Sequence, residues 1–295
     1  MKFVFSLKSM LTLIALMTFS FSAFSQLELP RKSPKATTAY TVGLTDFTIK
    51  YGSPAANDRE IWGVLEPYDE VWRAGANEAT TIEISTDIFI KDQKLPAGKY
   101  SLFIIPRAEG NWTMIFNKVA DQWGAYDYDE SQDALRVDVE PKFKKGSENR
   151  LNYKIVDQRM DYGYIRFAWD KVRLIVQFKV DYLDQAIKNV NAAVADTTLN
   201  DRHWSMYAEG ADFLLGVDKK PELALEWATA STEKFSHGWN WYIRARAEAA
   251  NGDFKSAVQS VAKCKELDEA SEKDNYYTDS KAKIEANLAD WSSKS

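Results

Sequence analysis

Between Ala39 and Val180 apolar and polar positions alternate with a period of two. The segment "YTVGLTDFTIKYG" sets Val42, Leu44, Phe47 and Ile49 as apolar positions, with a break near Thr45 and Asp46. "TTIEIS", "DIFIK", "KYSLFII", "NWTMIFN", "ALRVDVE" and "RLNYKIV" follow. Each run is short, rich in β-branched and aromatic residues, and bounded by Gly, Pro, Asn or Asp. "DYGYIRFAW" and "VRLIVQFKV" stand on either side of Asp170-Lys171, a spacing that predicts a tight hairpin. In "KLPAGKY", Pro96 presets φ and Gly98 accepts a positive φ, which predicts a turn. Roughly nine such runs predict an antiparallel all-β sandwich of jelly-roll type, placed over residues 27–180.

After Asp181 the period becomes helical. "YLDQAIKNVNAAVA" aligns Leu183, Ile187, Val190 and Val194 on one face. "PELALEWATASTEKF" and "GDFKSAVQSVAKCKEL" each carry a stripe of small residues: Ala224, Ala228 and Ser231, then Ala257, Val261 and Cys264. Ala224 and Ala257 are 33 residues apart, close to the roughly 34-residue period of tetratricopeptide repeats. "WYIRARAEAANGDFKSAVQSVAKCKELD" fits that repeat, with a turn at Gly252-Asp253-Phe254; the earlier unit, which has "GVDKKPEL" at the turn, departs from it. "DNYYTDSKAKIEANLADW" closes the array as a helix. Residues 181–295 are therefore expected to form an all-α, tetratricopeptide-like array of helical hairpins, making the whole an α+β multidomain chain. Cys264 falls on the packing stripe, as a small core residue rather than a reactive thiol.

The first residues change the picture of where the protein works. Lys2 and Lys8 precede an apolar run from Met10 to Phe21, and Ala23 and Ser25 make a small-x-small pattern. This predicts a signal peptide over residues 1–25, cut before Gln26, with no cysteine to take a lipid. The expected location is the periplasm or the cell exterior. The apolar run falls short of the roughly 20 residues that a membrane span needs, so no span is expected.

Composition then removes classes of function. The chain has 295 residues, 45% of them hydrophobic, and ten tryptophans, ample for a sizeable core without disulfides. A net charge of −5 argues against nucleic acid, which needs a basic stripe. Two histidines and one cysteine offer little for a transition metal, and the strand region has no histidine for a Ser-His-Asp or Cys-His mechanism. No cofactor and no metal are expected. Counted from Asp127, the acidic run "DYDESQD" has Gln132 at the sixth position and Asp138 at the twelfth. A Ca²⁺ loop wants Gly and Glu there, so a solvated loop is the better description.

Several phrases of the strand region occur together: "YGSPAANDREIWGVLEPYDEVWRAGANEATTIEIS", "LPAGKYSLFIIP", "WTMIFNK", "QWGAYDYDESQDALRV" and "FAWDKVRLIVQF". Together they resemble a family of exported Bacteroidetes proteins catalogued as domain of unknown function 2911 (DUF2911), over roughly residues 27–180. The resemblance implies a compact all-β domain and export. It implies no activity and carries over no catalytic residue.

Candidate chemistry lies in two polar stretches. In "VWRAGANEATT", Gly75 is expected to supply a positive φ, Asn77 to cap the connection, and Arg73 to pair with Glu78, while Trp72 is a core residue. In "QWGAYDYDE", Trp123 and Tyr126 offer aromatic plates and Asp127 a carboxylate. If the two loops meet at one end of the sandwich, Arg73, Asn77, Glu78, Trp123, Tyr126 and Asp127 line one ligand-binding cleft. The primary expectation is a non-enzymatic binding protein for a glycan or a peptide, with a second surface on the helices for a protein partner. The alternative is a hydrolase of carbohydrate or peptide that uses Glu78 and Asp127 as an acid/base pair. A third reading makes both stretches pure scaffold.

Overall fold

The structure, a computed structural model, describes residues 29–271 and 273–295. The expected signal peptide lies outside the described residues. Ten strands come first: β1 (Lys35–Val42), β2 (Thr45–Gly52), β3 (Thr80–Ile84), β4 (Ile88–Ile90), β5 (Gln93–Leu95), β6 (Gly98–Ile105), β7 (Trp112–Asn117), β8 (Asp133–Val139), β9 (Lys142–Val156) and β10 (Tyr162–Val180). They form a six-stranded sheet, β1-β2-β3-β6-β7-β8, and a four-stranded sheet, β5-β4-β10-β9. Every pairing within them is antiparallel.

The inward faces of the two sheets share one hydrophobic core. Phe47 of β2 packs on Phe178 of β10 at 4.5 Å between ring centroids, and Tyr51 on Tyr153 of β9 at 5.1 Å. At one end Trp72 stacks on Trp169, and Trp62 meets both edge-on. Neighbours in the larger sheet follow chain order, except that the β4–β5 hairpin departs to the other sheet. This is a meander, and the crossed strand order of the expected jelly roll is not seen.

Three local features explain the differences from the sequence pattern. The first hairpin turns at Gly43-Leu44, where Gly43 takes a φ of +57°. Lys91 and Asp92 both have positive φ and form the two-residue turn between β4 and β5. The expected hairpin at Asp170-Lys171 is instead one continuous strand, β10. Ile165, Phe167 and Trp169 point inward, and then Val172, Leu174, Val176 and Phe178 do. The parity changes because the register against β9 shifts between Ala168 and Val172, and Asp170 adopts a φ of +47°. An irregularity of this kind restores the inward face, and in a sequence it looks like a turn.

Asp181 alone separates β10 from the helices, and it caps the first of them through Asp184 N–H. The helices are α1 (Tyr182–Ala195), α2 (His203–Gly216), α3 (Pro221–Lys234), α4 (Gly238–Ala250), α5 (Phe254–Ala270), α6 (Tyr276–Asp279) and α7 (Lys281–Ser292). The pairs α2–α3 and α4–α5 pack side by side as hairpins. Both stripes of small residues are buried where helices approach: Ala224, Ala228 and Ser231 in α3, Ala257, Val261 and Cys264 in α5. Leu183, Ile187 and Val190 lay α1 against the first hairpin, and Ile284 and Trp291 seat α7 on the second. Among the described residues no helix is long and apolar enough to cross a membrane.

Candidate functional site

The stretch 71–81 returns the chain to β3 along a tightly packed path. Trp72 exchanges two backbone hydrogen bonds of 2.9 Å with Ile104 and is buried, as expected of a core residue. The next carbonyl but one, that of Ala74, accepts from Thr80 Oγ1 at 3.0 Å and from the Tyr153 hydroxyl at 2.8 Å. Gly75 does not carry the expected positive φ. Ala74 (φ +50°) and Asn77 (φ +67°) do. What Gly75 provides is room, since a Cβ there would lie 2.5 Å from Thr80 Oγ1. Gly52 of β2 does the same from below, with a hypothetical Cβ 2.0 Å from the Ala76 carbonyl oxygen.

The two polar loops meet. Ala79 N–H donates to the Gln122 carbonyl at 3.0 Å, Gly124 N–H to the Asn77 carbonyl at 3.2 Å, and Glu78 and Trp123 form an isolated antiparallel bridge. The segment 118–132 thereby lies over the outer face of the six-stranded sheet. Beneath it Phe103, Ile105, Ile115 and Ala79 form a small second core, roofed by Ala125 and Tyr128. The step between this covered part and the bare outer face of β1, β2 and β3 is a cleft of about 490 Å³. Glu78, Gln122 and Trp123 form its wall, and Thr37, Lys50 and Thr81 lie on its floor. The floor residues pair in register across three strands, Thr37 with Lys50 and Lys50 with Thr81.

The six candidate residues separate into groups. Glu78 and Trp123 line the cleft. Asn77 stands behind it and donates to the Ser33 carbonyl at 3.3 Å, which ties the segment before β1 to the loop. Tyr126 and Asp127 continue the same loop into solvent and do not line the cleft. Tyr126 is 85% exposed.

Arg73 leaves the group, and its expected pairing with Glu78 is not formed. Glu78 pairs with Arg31, whose Nη1 donates to both carboxylate oxygens at 2.8 and 2.7 Å, with Lys35 at 3.6 Å. Arg73 and Glu78 are separated by the sharp turn through Ala74 and Asn77, and Arg73 lies instead in the field of Glu66. Burial pushes the Glu66 carboxyl up to about 7, and Arg73 and Arg59 only partly offset it.

This arrangement bears on acid/base chemistry. The hydrogen bond from Arg31 holds the Glu78 carboxyl below the usual carboxylate range, so Glu78 is ionised at neutral pH and has no proton to donate. The acidic run is a largely solvated loop, with Asp127, Asp129 and Glu130 exposed. Asp129 caps the turn 130–132, and Asp133 accepts from the Tyr128 hydroxyl at 2.7 Å and from Arg136 at 3.0 Å. Among the described residues no group of three or more His, Cys, Asp or Glu is placed to hold a metal ion.

Sequence reasoning missed Arg31, Lys35, Lys50 and Gln122. Lys50 was legible as an outward position of an alternating strand, and nothing in the sequence set it opposite Trp123. Arg31 precedes the first strand and carries no local signal at all.

Residues 33–178 match the model of a family described as a protein of unknown function (DUF2911). The match spans the strand region and stops before the helices. No curated protein and no solved structure matches the chain.

Proposed function

Starting from a strand region whose family description assigns no activity, we propose that this protein binds a carbohydrate in the cleft between Trp123 and the outer face of β1–β3. The observation that carries the reading is the setting of Trp123. The residue is 56% exposed although its backbone is tied on both sides, through Gln122 to Ala79 and through Gly124 to Asn77. An exposed aromatic on a fixed backbone is an apolar plate that loses little entropy when a flat ring stacks on it. Thr37 and Thr81 line the same cleft and carry hydroxyls, polar partners for a sugar. Binding is favoured over hydrolysis because Asp127, the other half of the expected acid/base pair, lies outside the cleft, and the carboxylates that do line it, Glu78 and Asp121, are each paired with a cation, Arg31 and Lys99.

The protein works after export, in the periplasm or outside the cell, with its N-terminal leader removed. The helical half is a tetratricopeptide-like array that offers a surface to a protein partner. Buried alanines at the close approach of α2 to α3 and of α4 to α5 support this reading. The test of the glycan reading is affinity electrophoresis through gels containing soluble polysaccharides. Retardation by at least one polysaccharide is expected, with loss of most of it in Trp123→Ala at unchanged melting temperature. Equal retardation of the variant, or none on any polysaccharide, overturns the reading.

A further inference from the structure

The charges around the cleft do not cancel where a ligand would sit. Four charged side chains line it: Lys35, Lys50, Glu78 and Asp121. Both acids are already matched from outside the lining. Arg31 holds Glu78 at 2.7 Å, and Lys99 holds Asp121 at 3.1 Å. Lys99 also stands opposite Glu83 across the β3–β6 pairing, but its ammonium is on Asp121, so Glu83 adds a carboxylate to the same outer face. Lys35 lies 3.6 Å from a carboxylate whose charge Arg31 has taken up. Lys50 has no carboxylate partner among the described residues, and its strand neighbours on either side are the threonines 37 and 81. Counted once each, four cations (Lys35, Lys50, Arg31 and Lys99) face three carboxylates (Glu78, Asp121 and Glu83), so the cleft keeps a positive excess on a chain of net charge −5.

We propose that the ligand is an acidic saccharide, one whose sugar carries a carboxylate or a sulfate. Its ring stacks on Trp123 and its anionic group is taken by Lys50, with Lys35 beside it. The proposal rests on the carbohydrate reading above and adds the charge of the sugar. Lys50 is then the specificity-determining residue. A neutral sugar leaves the lysine charge without a partner in the occupied cleft, whereas an anionic one supplies it. Lysine suits either anion, because an ammonium is a compact point charge with freely rotating donors.

The experiment is isothermal titration calorimetry on the full exported chain. The probes are tetragalacturonate, a chondroitin sulfate tetrasaccharide, cellotetraose and hexaglutamate. At least one acidic sugar is expected to bind tenfold or more tightly than cellotetraose and hexaglutamate, and to weaken as salt is raised. Lys50→Gln should lose about tenfold, Lys50→Arg should keep most of the affinity, and Trp123→Ala should lose tenfold or more. Melting temperatures of all variants confirm folding. Binding of cellotetraose equal to that of the acidic sugars, and lost in Trp123→Ala, overturns the acidic ligand and leaves the carbohydrate cleft standing. Hexaglutamate binding as tightly as either acidic sugar overturns the saccharide class. Acidic-sugar binding unchanged by both Lys50→Gln and Trp123→Ala, or no binding of any probe, overturns the proposal together with the reading beneath it.

Discussion

Glu78 and Trp123, one at the approach to β3 and the other in the long loop after β7, sit opposite each other as the two halves of an isolated antiparallel β-bridge. That bridge converts two loops into one wall. It points the Trp123 ring outward, and it places a carboxylate beside it that Arg31 reaches from the segment before β1.

The Arg31–Glu78 pair is surface chemistry, with both side chains about 40% exposed, at 40% and 41%. Arg31→Ala is therefore expected to cost under about 1 kcal/mol of stability. The sign follows from the lowered Glu78 carboxyl. Its contribution is present above the ordinary carboxylate range and fades as pH falls through the folded-state value. NMR titration should show the Glu78 carboxyl moving up in Arg31→Ala, and no movement contradicts the pairing.

Glu66 behaves in the opposite sense. Its carboxyl is raised from 4.5 to about 7, chiefly by burial. The folded state then holds more protons than the unfolded state between those two values, so the charged side chain costs stability as pH rises through that window. Glu66→Gln should match the parent near pH 4.5 and exceed it at pH 8 by on the order of 2–3 kcal/mol. Denaturant melts at the two pH values measure this, and a pH-independent difference refutes it.

Gly52→Ala tests the scaffold under the cleft. The new methyl would meet the Ala76 carbonyl oxygen at 2.0 Å, and backbone cannot move aside as a flexible side chain does. A loss of at least about 2 kcal/mol is expected, together with weaker retardation on polysaccharide gels. A melting temperature like that of the parent would show that the loop has slack.

Cys264 should be inert in the folded protein. It is fully buried, and its thiol is pushed up to about 12, first by desolvation and then by the charges of Asp274 and Asp268. A chromogenic disulfide reagent should label it only after denaturation. Stoichiometric labelling under native conditions would mean that the second helical core opens.

The strand region should fold without the helices. Its main core draws only on residues up to Val180, and the helical cores draw on none of them. A fragment of residues 29–180 is expected to give a β-type circular dichroism spectrum and a cooperative melt. Leu44 and Met160 are already partly exposed, and loss of Tyr182 and Phe213, which line an apolar groove with them at the junction, should enlarge that apolar surface and make the fragment less soluble than the full chain. An uncooperative melt would show that the two halves fold as one.

The sequence by itself determined which faces are buried. Period-two alternation identifies most of the strands, and the switch to a helical period identifies the border at Asp181, because burial of one face is a local property of each element. The small-residue stripes at Ala224 and Ala257 were legible for the same reason. Parity broke the reading at Asp170, where an irregular register and a hairpin turn look alike in one dimension. The site needed more than faces. Arg73 and Glu78 are close in sequence, yet positive φ at Ala74 and Asn77 sends them apart, one toward Glu66 and the other toward Arg31. Trp123 and Lys50 share a cleft only because a loop after β7 folds back over the outer face of the sheet. Such partners are chosen by the path of the backbone through space, and no residue pattern along the chain encodes a contact whose two halves lie in different local structures.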